Sequence, residues 1–559
     1  MPTLSLPTLL LGSLLFALSG TEASATGSKP APGKELWLFG GGEPICSSVE
    51  PQKCLPEFNQ QAAEFFAQTE AIRHKVFQVD AATLQRWQQS ELWPDSTQRR
   101  QHLQPALLPL LTAVLGQPLA EPDWHHHFNH LELTGDEQSL LDDWFEIRPL
   151  TQNGATRTMQ VYYAGTPDYV RAMFEVFVAS GRERATARTG KAVLRPRLVL
   201  ITASSYNVFE WVDYYQQLFT AAGAEVVWLP IEPAIIQGSP CAELDQQRLF
   251  WNGQLQRQAR YPELAAYQQQ FCQQPEKLTE LVASADLFFI NGGDQSLTMR
   301  SLQDFNGNWT EVAVMLQQKL AEGIPLGGSS AGTAVQSGRP GSNIPMLSGG
   351  STASALLNGT LATDADRPLC QLFQQCNPLL GEPVLTYKAD GGLQSFTLGV
   401  LDTHFRERAR EGRLMKLLLD SGANTGVGID EATLLRVNFV TAEKAELSVM
   451  GPGGVWIVQT TPSLHSAPNA QGWRLSGMQA SRLLAGDSAT LSSTTIQVRL
   501  NCPETSHYPA QQIDVSAFAE KAQWRWLQQG GKVQACQRED QQWRYQQLPL
   551  ILEVNNANS

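Results

Sequence analysis

Short apolar runs that end in glycine or small residues alternate along this chain with segments whose apolar positions recur at helical spacing. Glu35-Leu36-Trp37-Leu38-Phe39 runs into Gly40-Gly41-Gly42, the pattern of a buried strand closed by a tight glycine turn. Arg197-Leu198-Val199-Leu200-Ile201 precedes Ala203-Ser204-Ser205. Val208, Trp211, Val212, Tyr215, Leu218 and Phe219 then predict a helix with one apolar face, Gly223 closes it, and Val226 to Leu229 is the next strand. The alternation returns with Leu287-Phe288-Phe289-Ile290 before Asn291-Gly292-Gly293, a helix from about Glu311 to Leu320, and Pro325-Leu326-Gly327-Gly328. Apolar strands alternating with amphipathic helices predict an α/β fold, a mostly parallel sheet covered by helices on both faces.

Between the first strand and the second lie about 150 residues, too many for a loop. Apolar periodicity over Phe58 to Phe77, Leu103 to Leu115 and Tyr169 to Val178 makes 50–190 a mostly helical insertion. The catalytic α/β domain is then expected at 34–48 and 195–480. From about Gly451 the chain becomes rich in strands and turns, and 481–559 is expected as a small β-rich C-terminal extension.

The first residues change the picture of where the protein works. Leu9 to Leu18 form an apolar core too short to span a bilayer, followed by Ala23-Ser24-Ala25, so 1–25 is expected to be a signal peptide, although its start lacks Lys and Arg. The mature protein is expected to be secreted, periplasmic or extracellular, with no membrane association after cleavage. Eight cysteines suit an oxidising compartment. Sequence neighbours suggest Cys46 with Cys54, Cys241 with Cys272, Cys370 with Cys376, and Cys502 with Cys536. A net charge of −13 over 559 residues argues against a nucleic-acid partner, which requires a basic stripe. His126 and His130 fall on one helix face, but a metal site needs a third convergent ligand and none is identified. Monomer and homodimer are both open.

Candidate chemistry begins at Gly328-Ser329-Ser330-Ala331-Gly332, a G-x-S-x-G sequence after a predicted strand and before a predicted helix. That is the context of a nucleophile elbow, with Ser330 as nucleophile. A serine hydroxyl needs a base. His404 is the best placed histidine, because Asp402-Thr403-His404 follows the apolar segment Phe396 to Leu401 and so falls at a strand's C-terminal end. Gly428-Ile429-Asp430-Glu431 offers a third strand end, where Glu431 is suited to orient the imidazole, with Asp402 and Asp430 as rival acids.

Taken with Phe289-Ile290-Asn291-Gly292-Gly293-Asp294-Gln295 and the run from Asp402 to Leu414, these segments resemble the cyanophycinase family of serine peptidases, relatives of the aspartyl dipeptidases. The resemblance covers about 36–48 and 195–460. It implies a flavodoxin-like or class I glutamine-amidotransferase-like sandwich that hydrolyses cyanophycin, a polyaspartate carrying arginine on its side chains, to β-aspartyl-arginine dipeptides, with no metal or organic cofactor. It also implies Ser330 as nucleophile, His404 as base and Glu431 as third member, with Gln295, Asp402, Thr403, Arg408, Arg410 and Arg413 at substrate-lining positions. The backbone N–H of Ala331 with that of Gly292 or Gly293 would form an oxyanion hole. Thr403 departs from the family glutamine at that position, which keeps other aspartyl or isoaspartyl peptides open as substrates. If Phe405 to Leu414 is helical, Arg406, Arg410 and Arg413 share a face toward the cleft. Arg408 projects differently on such a helix, which suggests that the segment begins as a loop.

Overall fold

The computed structural model describes residues 33–92, 97–237, 240–380, 383–469, 472–503, 506–513, 524–528 and 530–555. The leader expected at 1–25 lies outside them. Among the described residues no helix is long and apolar enough to cross a membrane.

The glycine-ended apolar runs are strands buried on both faces. In Glu35–Phe39, Leu36 and Leu38 pack into one core with Val199, Ile201, Phe288 and Ile290, while Trp37 and Phe39 pack into another with Leu198, Leu200, Leu287 and Phe289. That two-sided burial is why these strands read as continuous rather than alternating hydrophobics. The helices Asp168–Thr189 and Val212–Ala221 cover one face, through Phe174, Phe177, Leu218 and Phe219. The other face meets helices Glu276–Ala283 and Glu311–Ala321 and the apolar side of a second sheet, including Leu401, Val427, Ile429 and Ile457. Each such side chain contributes about 1.5–3 kcal/mol on burial.

The first sheet has nine strands in the order Ile496–Arg499, Ser488–Ser492, Lys444–Met450, Leu434–Thr441, Glu35–Phe39, Leu326–Ser329, Leu287–Ile290, Arg197–Ile201, Glu225–Leu229. The last five run parallel to one another. The first four are antiparallel additions, which narrows the expectation of a mostly parallel sheet. Lys444–Met450 shows why: its residues alternate between exposed and buried, as in a strand with one solvated face. In the second sheet, Val400–Thr403 pairs in parallel with Thr425–Ile429, and antiparallel partners Gly454–Pro468, Gly472–Leu484 and Trp543–Asn555 follow.

Three expectations shift in the structure. The helix expected from Val208 begins at Val212, because the Val208 carbonyl accepts the Thr202 hydroxyl instead of starting a helical ladder. The insertion is mostly helical but also holds a ribbon of Val76–Gln78, Pro118–Ala120 and Glu146–Ile147, and its Asp168–Thr189 helix belongs to the sheet packing. Buried Arg257 ties the insertion to the rest of the chain through Asp143 and Glu146, at 2.9 Å each. The segment 481–559 supplies strands to both sheets.

All four cysteine pairs are those the sequence suggested, Cys46–Cys54, Cys241–Cys272, Cys370–Cys376 and Cys502–Cys536. The histidine cluster does not converge: His125 meets Asp142, His127 meets the Leu110 carbonyl, and His126 meets Asn129.

Candidate active site

Three strand ends and one glycine turn build the site. Ser330 follows strand Leu326–Ser329 and precedes the short helix Ala331–Ala334, with φ +53° and ψ −113°. This backbone is unusual for a non-glycine residue, and it is the strain an elbow imposes on its nucleophile. Around it, a Cβ at Gly328 would meet the Gly332 carbonyl oxygen at 2.1 Å, and one at Gly332 would meet that of Ile290 at 2.1 Å, so the flanking glycines are steric requirements.

His404 follows Val400–Thr403 and Glu431 lies just past Thr425–Ile429, on the parallel pair of the second sheet. The imidazole Nε2 is 2.7 Å from Ser330 Oγ, and Nδ1 is 2.6 Å from Glu431 Oε1. Burial holds the His404 pKa below its ordinary value, against the opposing pull of the Glu431 hydrogen bond. A neutral imidazole whose Nδ1–H donates to Glu431 presents Nε2 as acceptor for the serine proton.

The rival acids are committed elsewhere. Asp430 accepts from the backbone N–H of Gly454 and Arg406 and from the Arg482 guanidinium. Asp402 is buried and accepts two hydrogen bonds from Arg413, at 2.8 and 2.5 Å, and one from Arg410 at 3.3 Å. Burial alone would raise the Asp402 pKa, but the two guanidiniums overcome it and hold the carboxyl below its usual range.

The glycine turn after the first strand pins these parts together. Ser330 N–H donates to the Phe39 carbonyl, His404 N–H to that of Gly40, and Ala432 N–H to that of Gly41, at 3.1, 2.9 and 2.8 Å. Gly41 lies against the reacting pair: a Cβ there would be 2.5 Å from His404 Nε2, and one at Gly42 would be 2.6 Å from Glu431 Oε2. The sequence marked this motif as a turn, and its packing on the triad is a role that spacing alone does not show.

Two cavities flank Ser330. One, of about 380 Å³, is walled by Phe174, Trp211, Tyr214, Tyr215 and Phe289, with Glu43, Glu50, Lys53, Gly292 and Gly293. The other, of about 350 Å³, is lined by Tyr206, Gln295, Ala331, Thr403, Arg410 and Arg413 among others, and Arg408 reaches both. Gly293 and Ala331 both line the second cavity beside Ser330, where their backbone N–H groups form the expected oxyanion pair. Gln295 donates its side-chain amide to the Leu347 and Ser348 carbonyls and thereby holds the cavity wall.

The arginines are not equivalent. Residues 405–409 are turns and the helix spans Glu411–Ser421, so no single helical face carries Arg406, Arg410 and Arg413. Arg413 is buried and fully engaged by Asp402 and the Gly350 carbonyl, which makes it a strut of the cavity rather than a free carboxylate receptor. Arg410 bonds to the Thr403 carbonyl at 2.7 Å, and burial pushes its pKa down to about 10. Arg408 is exposed, and its guanidinium pairs with no carboxylate among the described residues.

No protein-family model matches the chain. A solved structure, the crystal structure of a peptidase from an acI-B1 Actinobacterium, aligns with 58% of this chain and 92% of its own at 17% identity and a TM-score of 0.32. A likeness at that score decides nothing about chemistry.

Proposed function

We propose that this chain is a secreted serine-type peptidase of the cyanophycinase kind, releasing β-aspartyl-arginine dipeptides from cyanophycin. The observation that carries the reading is the contact chain Ser330 Oγ to His404 Nε2 to Glu431, beside a strained elbow. In this reading His404 takes the Ser330 proton as the oxygen attacks the scissile carbonyl, and the imidazolium is stabilised by Glu431. The tetrahedral oxyanion is received by the N–H groups of Ala331 and Gly293. The acyl-enzyme forms as His404 returns the proton to the leaving amine, and water then repeats the sequence to release the product. Arg408, exposed and lining both cavities, is suited to pair with substrate carboxylates. Thr403, buried and short, lines the cavity where the family glutamine would reach further, so other aspartyl or isoaspartyl peptides are substrates of the same reading.

A serine-directed phosphonate incubated with the purified chain should add its mass at Ser330. Insoluble cyanophycin should clear with dipeptide release, and Ser330→Ala should abolish both. An unmodified wild type, or clearing by Ser330→Ala at the parent rate, overturns the peptidase reading. Labelling without clearing, together with turnover of isoaspartyl peptides, moves the substrate and leaves the chemistry.

A further inference from the structure

Glu43 stands immediately after the glycine turn, in the wall of the aromatic cavity, and the triad does not account for it. Its two carboxylate oxygens are both occupied: Oε1 accepts the Gly41 N–H at 3.0 Å and Oε2 accepts the Ser329 hydroxyl at 3.0 Å. Both partners adjoin the reacting pair. Gly41 is the residue packed on His404 Nε2 and the Ser330 Cβ, and Ser329 immediately precedes the nucleophile.

We propose that Glu43 is a positioning residue for the reaction. Its carboxylate ties the glycine turn of the first strand to the elbow and so fixes the distance and angle between Ser330 Oγ and His404 Nε2. The inference rests on the peptidase reading above and adds a member that acts through Gly41 and Ser329.

Geometry favours this role over the recognition of a cationic substrate group. The cavity beside Glu43 also holds Glu50, Lys53 and Arg408, two acids against two bases, so no net field draws a cation there. Glu50 is already paired with Lys53 at 2.8 Å. Each Glu43 oxygen meets a neutral donor inside the protein, and Gln can reproduce both bonds: its carbonyl accepts from Gly41 N–H and its amide donates to the Ser329 oxygen. Nucleophile and base that drift by an ångström lose about a hundredfold in rate. Removing a clamp therefore lowers the rate of the bond-making step without weakening binding.

The test needs no natural substrate. The rate at which a phosphonate labels Ser330 is followed by intact mass over a range of reagent concentrations, for the full chain and for Glu43→Ala, Glu43→Gln and Ser329→Ala. Glu43→Ala should lower the maximal labelling rate about tenfold to a hundredfold at an unchanged half-saturating concentration. Glu43→Gln should recover most of the rate, and Ser329→Ala, which deletes one of the two bonds and nothing acidic, should fall between. A wild type that labels while Glu43→Ala and Ser329→Ala label equally fast overturns this inference and leaves the peptidase reading intact. So does an effect confined to the half-saturating concentration, or a Glu43→Gln as slow as the alanine variant. A wild type that does not label overturns both.

Discussion

Arg413 and Arg408 belong to the same short segment and have opposite surroundings. Arg413 and Asp402 are buried and share two hydrogen bonds, so Arg413→Ala leaves a buried carboxylate with only the longer Arg410 contact and the Thr403 N–H. The expected cost is about 3–5 kcal/mol, visible as a lower thermal midpoint. Arg408 is exposed and pairs with no carboxylate among the described residues, and Arg408→Ala should change stability by less than about 0.5 kcal/mol while lowering kcat/KM on acidic peptides about tenfold. Equal stability losses in the two variants would refute the division. His404 adds a pH signature. Its burial favours the neutral form, so the unfolded imidazole binds a proton at higher pH than the folded one, and the base survives to lower pH than an ordinary histidine. The acid limb of kcat/KM should therefore turn below pH 6.5, and a midpoint at or above that value would contradict the buried environment.

At the scale of elements, the site reads clearly from sequence wherever a residue sits at the end of a doubly buried strand. Ser330, His404 and Glu431 each lie just past a strand whose residues are all buried. What the pattern hides is how one strand end approaches another. Asp402 and Arg413 pair across the turn of residues 405–409, which helical periodicity had smoothed over, and Glu43 meets Ser329 across 286 positions. The antiparallel half of the first sheet is hidden for a different reason, since Lys444–Met450 alternates with one solvated face and Ser488–Ser492 and Ile496–Arg499 fall in the segment read as a β-rich extension. The glycine turn gives this scale its prediction. At φ +94°, with a virtual Cβ 2.5 Å from His404 Nε2, Gly41→Ala must displace the imidazole or the turn. The variant should fold, and its Ser330 labelling should fall by about a hundredfold or more. Parental reactivity would mean that the turn yields without moving the pair.

At the scale of the whole molecule, the last strand is interior to the architecture. Trp543–Asn555 pairs with Gly472–Leu484 on one side and with Trp524–Gln528 and Lys532–Gln537 on the other. Its Tyr545, Leu548, Leu550, Leu552 and Val554 share a core with Trp456, Val458 and Phe405, the residue after His404. At about 1.5–3 kcal/mol per buried side chain, their loss rivals the 5–15 kcal/mol that holds a typical domain together. A chain ending at Gln542 should lack a cooperative melting transition and should not be labelled at Ser330. A soluble, cooperatively melting and reactive truncation would show that the second sheet closes without this strand.

Ser330 rides on one sheet while His404 and Glu431 ride on the other, and the two sheets meet through a shared apolar core and through the bonds to the turn at Gly40 and Gly41. The reactive serine is therefore a gauge of how firmly the two halves of the molecule are seated. A slip of an ångström between them uncouples acid, base and nucleophile, yet breaks none of the ladders within either sheet. In rising denaturant or heat, reactivity is expected to fade while the far-ultraviolet signal of the strands still stands, so loss of function marks the parting of the halves and not their melting.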